Sequence, residues 1–424
     1  MTKIELFKYI IKEFHELRLP ETYNRTLSIP ETQKIISLIG PRRVGKTFYF
    51  YQLLNNLIKN GINPSRIVYI NFEDDRILPL NVKDLNSILE AYYELYPENT
   101  DEMLYLFFDE IQNINNWELF VRRVYDKKNT RMYITGSSSK LLSKEIATSL
   151  RGRTLSYYLF PLSFEEFLKF NQVTLNKDFE YTNARFKVKQ LFNKYLYSGG
   201  FPEVVLEAEE LTQDILQNYF EMFIYRDLVE RFSIRNTSLL KSLVKFLITN
   251  IGTTFSVNSY YNNIKQEIPV GKDTLLEYLS YLEDINLIYL VPIFSYSLKK
   301  QQVNPRKVYC IDNGLRNAVS FMFSKDEGRL AENLAFLELK RRGKEPYYWK
   351  KNGEIDFIIK DRDSSLTAIN VSYTDEIDDR ETKVLLEFAD EFSPKIKELI
   401  LLTKDLENTD GMIKFIPLWK WLIH

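Results

Sequence analysis

At 424 residues the chain exceeds the roughly 250–300 at which a single core stops growing, so several domains are expected. With 45% hydrophobic and 27% charged residues it is not disordered as a whole, and a net charge of -1 (57 Lys and Arg against 58 Asp and Glu) excludes a uniformly basic nucleic-acid coat. One cysteine, Cys310, and two histidines, His15 and His424, exclude a disulfide framework and a cysteine zinc cluster, and leave little for histidine metal sites or Ser/His/Asp hydrolysis. The amino end, MTKIELFKYIIKEFHELR, has the spacing of an amphipathic helix and not of a secretory signal. Apolar runs fall short of the ~18–20 residues that span a bilayer, so the expectation is a soluble, cytoplasmic protein with no membrane partner.

Residues 35–47, IISLIGPRRVGKT, are an apolar strand running into Gly40-Pro41-Arg42-Arg43-Val44-Gly45-Lys46-Thr47 and then into the helical stretch FYFYQLLNNLIKNG. The loop fits G-x-x-x-x-G-K-[ST]. Its glycines let successive N–H groups face an anion, and the following helix adds a partial positive charge. Lys46 is then placed to neutralise the β- and γ-phosphates of ATP, and the Thr47 hydroxyl to ligate Mg²⁺. After a strand candidate at 66–74, MLYLFFDEIQ (103–112) reads as a buried parallel strand delivering Asp109 and Glu110 at its C-terminal edge. Asp109 is expected to organise Mg²⁺ through Thr47, and Glu110 to act as general base on the attacking water. The strand RMYITG within 131–142 is expected between the other two, bringing Thr135 or Ser137 to the γ-phosphate. Arg151 and Arg153 follow, as candidate donors of positive charge to the transition state from this subunit or a neighbour.

From 161 to 232 the pattern turns helical, broken at Ser198-Gly199-Gly200-Phe201-Pro202, and reads as a lid with Arg185, Arg226 and Arg231 as sensor candidates. Residues 236–312 read as a winged helix. Ser256 is a helix N-cap, and the amphipathic stretch GKDTLLEYLSYLEDINLI has Leu275, Leu276, Leu279 and Leu282 on its buried side. A hairpin with Lys299, Lys300, Arg306 and Lys307 on or near its wing follows. Those lysines and arginine suit phosphate contacts, while Asp273, Glu277 and Asp284 on the outer helix face oppose DNA, so binding and packing both remain open. From 313 onward the order is a helix (326–343), three strands, a helix and a strand, an order that resembles the restriction-endonuclease-like fold. Glu332 and Asp356 match that fold's first two catalytic positions. The third reads Asn370-Val371-Ser372, without the second carboxylate and the lysine that two-metal cleavage needs, so this domain is expected to be inactive.

The segments GPRRVGKT, FFDEIQ, YITGSSSKLLSKEIATSLRGR, PLSFEEFL, YSGGFPEVV, Tyr225-Arg226-Asp227, GKDTLLEYLSYLEDINLIYLV and GRLAENLAFLELKRRG together resemble the archaeal and bacterial AAA-superfamily P-loop ATPases that end in the domain of unknown function 4143. The likeness covers nearly the whole chain. It implies binding of ATP and Mg²⁺, modest ATPase activity and a homo-oligomer. The expected architecture is α/β: a P-loop parallel sheet of AAA type (1–160), a helical lid (161–235), a winged helix (236–312) and a restriction-endonuclease-like domain (313–424). Three purposes fit. The first is a DNA-stimulated ATPase; the others are a nucleotide-gated protein-interaction switch and an active metal-dependent nuclease.

Overall fold

A computed structural model of the protein describes residues 1–424 except 128, 137–149, 151, 267, 269, 321–325, 375 and 424. Ser137 and Arg151 therefore lie outside the described residues. The chain divides into two compact units, Met1–Phe160 and Pro161–His424.

The first unit opens with helix α1 (Lys3–Glu16), started by a capping box in which Thr2 and Glu5 satisfy each other's backbone N–H groups. Strands β1 (Ile35–Ile39), β2 (Ile67–Asn71), β3 (Leu104–Asp109), β4 (Thr130–Gly136) and β5 (Thr154–Tyr158) form a parallel sheet in the order β2-β3-β4-β1-β5. Helices α2 (Lys46–Lys59), α3 (Asn86–Leu95) and α4 (Trp117–Tyr125) connect or flank them. Every residue of β1 and β3 is buried, which explains why both read as unbroken apolar runs: a parallel sheet covered on both faces has no solvent side to alternate with. β4 lies between β1 and β3, as expected for the corresponding strand of a P-loop sheet. The registers Asn71↔Asp109, Phe108↔Ile134 and Ile39↔Gly136 bring the C-terminal ends of four strands to one edge.

The second unit begins with helices α5 (Phe164–Phe170), α6 (Ala184–Ser198), α7 (Pro202–Leu206) and α8 (Thr212–Met222), the last running into a π-helical segment, Phe223–Glu230. Next come α9 (Thr237–Thr249), β6 (Thr254–Phe255), α10 (Val257–Ile264), α11 (Lys272–Asp284), β7 (Ile288–Val291), α12 (Leu298–Val303) and β8 (Arg306–Cys310), with the three strands in an antiparallel sheet ordered β6-β8-β7. Ser256 caps α10 through the Ser259 N–H. On α11 the buried residues are Leu275, Tyr278, Leu279 and Leu282. Leu276 is exposed, a correction to the sequence reading, because Tyr278 takes its share of the apolar stripe.

Helix α13 (Asn313–Val319) leads to α14 (Glu327–Arg341), whose residues from Leu330 to Leu339 are buried on every face. A mixed sheet follows, built from β9 (Pro346–Lys350), β10 (Glu354–Lys360), β11 (Leu366–Ser372), β12 (Ile396–Thr403), β13 (Asn408–Asp410) and β14 (Ile413–Pro417) in the order β13-β14-β12-β11-β10-β9. Helix α15 (Asp379–Phe392) connects β11 to the parallel β12, its Leu385 and Phe388 packing on Ile355, Ile358 and Leu401.

A buried polar network holds this second unit together around residue 312. Asp312 accepts from the Gly200 N–H at 2.6 Å and the Leu315 N–H at 2.9 Å. Asn313 donates to the carbonyls of Leu196 and Leu330, and Asn333 pairs with the backbone of Cys310. The expected boundary at 312/313 thus falls inside a continuous set of hydrogen bonds. The same network explains Gly199 of YSGGFP and Gly314, since a Cβ on Gly199 would lie 2.1 Å from the Asp312 carboxylate, and one on Gly314 would lie 2.0 Å from the Ser198 carbonyl. At Gly314 the obstructing group is backbone, which has no flexible end to yield. Gly314→Ala is therefore expected to cost ~1–3 kcal/mol, read as a lower urea midpoint.

Candidate functional site

The site at the C-terminal edge of the parallel sheet is built from the loop after β1 and the ends of β2, β3 and β4. Gly40 (φ 154°), Arg43 (φ 67°) and Gly45 (φ 91°) adopt conformations outside the ordinary L-residue regions and curl the chain back on itself. A Cβ on Gly40 would meet the Leu159 carbonyl at 2.3 Å. Helix α2 starts directly after Gly45 with no side-chain cap on its first N–H groups, leaving the donors that an anion satisfies.

Lys46 is buried and reaches back over the loop, donating to the carbonyls of Gly40 at 3.2 Å and Pro41 at 3.1 Å, with Glu110 Oε1 3.5 Å away. Thr47 Oγ1 donates to Asp109 Oδ2 at 2.7 Å. Asp109 Oδ1 accepts from the Thr135 hydroxyl, and that hydroxyl accepts from the Glu110 N–H at 2.9 Å. Lys46, Thr47, Asp109, Glu110 and Thr135, proposed separately from sequence, are joined in one hydrogen-bonded chain. Arg42, from the same loop, pairs with Glu73 at 3.2 Å, and Val44 is fully buried.

Two participants were given no role from sequence. Tyr69 donates to Asp109 Oδ2 at 3.0 Å, and Gln112 donates to Glu110. Only the β2–β3 register, which sets Asn71 beside Asp109, brings Tyr69 there. Burial raises the Asp109 carboxyl above its ordinary value, against the pull of Thr135 and Thr47. At Glu110 burial acts the same way, but Lys46, Gln112 and Arg42 outweigh it and hold the carboxyl below its ordinary value. The oxygens of Thr47 and Asp109 are hard donors of the kind Mg²⁺ takes, and the loop supplies the anion's partners, so the residues present fit both groups.

Arg153 is not part of this arrangement within the chain. It stands just before β5, its carbonyl accepting from the Ile35 N–H, and its side chain pairs with Asp126 at 3.0 Å. Because β5 runs parallel to β1, Arg153 emerges at the opposite edge of the sheet, five strand residues or ~16 Å from the phosphate loop. Arg185, Arg226 and Arg231 belong to the second unit, where Arg185 lies over the Trp419 ring and Arg231 over Phe232.

A second cluster of titratable groups lies in the C-terminal unit. Asp356 Oδ2 accepts from the Val371 N–H at 2.9 Å, Asn370 Oδ1 accepts from the Asp356 N–H at 3.0 Å, and Asn370 donates to Glu381. Lys307, expected on or near the wing as a candidate phosphate contact, is buried instead. Its ammonium touches Asp356, Glu332 and Glu354. Burial disfavours its charge, yet Asp356, Tyr309, Glu332 and Glu354 hold it well above the usual lysine value. The sequence did carry a signal, for Lys307 stands in KVYCI, and a charge inside an apolar strand needs a partner.

Residues 32–168 match the AAA domain family, residues 189–326 a domain of unknown function (DUF8612), and residues 327–421 a further domain of unknown function (DUF4143). The chain is 36% identical over 433 residues to the "Uncharacterized protein MJ1544" of Methanocaldococcus jannaschii, covering 98% of this chain and 95% of that protein. It is 31% identical over 402 residues to an uncharacterized protein of Haemophilus influenzae, covering 94% and 96%. Among solved structures, the Walker-type ATPase PABY2304 of Pyrococcus abyssi aligns with TM-score 0.44 and 15% identity over 67% of this chain and 90% of that one. No helix among the described residues is long and apolar enough to cross a membrane.

Proposed function

This chain belongs to the AAA-domain P-loop ATPases that carry the C-terminal domain of unknown function 4143, and we propose on that premise that it binds ATP with Mg²⁺ on the Gly40–Thr47 loop and hydrolyses it. The observation that supports this best is the convergence of Lys46, Thr47, Asp109 and Glu110 at one strand edge through contacts of 2.7–3.5 Å. Bound Mg²⁺ would neutralise charge on the β- and γ-phosphates. Lys46 leaves its loop carbonyls and Glu110 for the phosphates, while the open N–H groups at the start of α2 orient them. Glu110, held as a carboxylate, takes the proton of the water that attacks the γ-phosphorus, and the bridging oxygen leaves with ADP. Thr135 fixes Glu110 and Asp109 relative to one another, and Tyr69 fixes Asp109 from the other side.

The order α9–β6–α10–α11–β7–α12–β8 supports reading residues 236–312 as a winged helix with a short helix between its last two strands, and exposed Lys299 and Lys300 on that helix support a role for it on DNA. Exposed Asp273 and Glu277 on α11 favour the second reading, a nucleotide-gated switch that engages a protein. Lys46→Ala is expected to weaken ATP binding ~10–100-fold, the worth of charged hydrogen bonds to phosphate, and to abolish turnover. Fluorescent-nucleotide titration of the two proteins checks this, and equal affinities would refute the phosphate site. Turnover measured with duplex DNA across a salt series separates the two purposes, since phosphate contacts give a steep salt slope and a protein-binding switch gives none.

A further inference from the structure

The nuclease-like face of the C-terminal sheet already contains a cation, supplied by the chain itself. Lys307 Nζ lies 2.6 Å from Asp356 Oδ1, 2.9 Å from Glu332 Oε1 and 2.9 Å from Glu354 Oε1. An ammonium has three protons, and three carboxylates from α14 and β10 take them at charge-assisted hydrogen-bond distances. The Lys307 side chain is 1% exposed. Tyr309, two residues along β8 and so on the same strand face, donates its hydroxyl to Glu332 Oε1 at 2.6 Å. The turn at Gly252 closes the same carboxylate from another side, where a Cβ would stand 2.9 Å from Glu332 Oε2. Alternate side chains of one strand thus enter the space that a two-metal phosphodiesterase keeps for metal, water and the scissile phosphate.

We propose that Lys307 is a built-in counter-ion in the divalent-metal position, so that this centre ties the β6-β8-β7 sheet to the C-terminal sheet and takes up no metal. A divalent ion would need the same oxygens at ~2.0–2.6 Å, and it competes with an ammonium tethered at high effective concentration. Glu332 and Asp356 are largely buried, which leaves little of either carboxylate for the phosphodiester of a nucleic acid. Proposal and ATPase reading are independent, resting on separate units of the chain.

The test uses the full chain without nucleotide and Mn²⁺ as the only probe, followed by calorimetry and by melting temperature. In the wild-type background Asp356→Asn is expected to leave the Mn²⁺ isotherm unchanged. Lys307→Met is expected to gain one Mn²⁺ site and a Mn²⁺-dependent rise in melting temperature, both lost when Asp356→Asn is added. A wild-type Mn²⁺ site that Asp356→Asn weakens tenfold or more would overturn the proposal, as would a folded Lys307→Met chain with no added site. The wild-type comparison decides the matter even if Lys307→Met is not recovered folded.

Discussion

Glu110→Gln is expected to lower ATP turnover ~10²–10⁴-fold while ATP binding stays at least as tight as in the wild type. The amide has the carboxylate's shape and can still accept from Gln112, but it cannot take a proton from water. The backbone at this position is held independently of the side chain, with φ 53° and its N–H bound to the Thr135 hydroxyl, so the substitution leaves the loop in place. Lys46 sits 3.5 Å from the Glu110 carboxylate before any phosphate arrives and must give up that partner to bind one. Removing the charge removes that competition, which is why affinity is not expected to fall. Steady-state phosphate release and nucleotide titration on the same preparation check both halves. Turnover within tenfold of wild type would assign the base elsewhere.

The parts of this site visible in the sequence are those that backbone chemistry dictates locally. A loop that must curl around an anion needs Gly40 and Gly45, and an anion at a helix start needs Lys46 beside it, so the pattern is contiguous. Asp109 and Glu110 were legible because a strand buried on both faces is apolar until it ends. What stayed hidden depends on register. Tyr69 reaches Asp109 only because β2 pairs with β3 at a particular offset, and a tyrosine in a strand otherwise reads as core. Arg153 stands away from the site within its own chain for the complementary reason: following the sensor strand in sequence says nothing about which end of β5 it occupies. In the C-terminal unit the order helix, three strands, helix, strand was readable from periodicity, but β13 and β14, which pair beyond β12, were missed because Asn408–Asp410 is short and exposed and Ile413–Pro417 offers only a brief alternation. That β8, 49 positions before Asp356, returns a lysine to the same carboxylates is a long-range contact without local signature, apart from a charge in an apolar strand.

Lys307→Met is expected to cost ~3–5 kcal/mol of folding stability, the loss usual when one partner of a buried ion pair is removed and the others are left uncompensated. Three carboxylates lose their shared donor at once, and two of them, Glu332 and Asp356, are largely buried. The deficit is expected to depend on pH, with a sign that follows from Glu332. Burial and the neighbouring Asp356 push its carboxyl up to about 7 even though Lys307 pulls it down, and without the ammonium it rises further. A carboxyl raised in the folded state stabilises the fold while protonated, and that contribution is lost as pH climbs from the unfolded value through the folded one. Lys307→Met is therefore expected to be more deficient at pH 8 than at pH 5. Adding Glu332→Gln, which keeps an acceptor for the Tyr309 hydroxyl but no charge, is expected to restore ~0.5–3 kcal/mol at pH 8 and little at pH 5. Urea unfolding at the two pH values reads all three effects. A pH-independent loss below ~1 kcal/mol is what a solvated surface pair would give, and would mean that water, not Lys307, compensates these carboxylates.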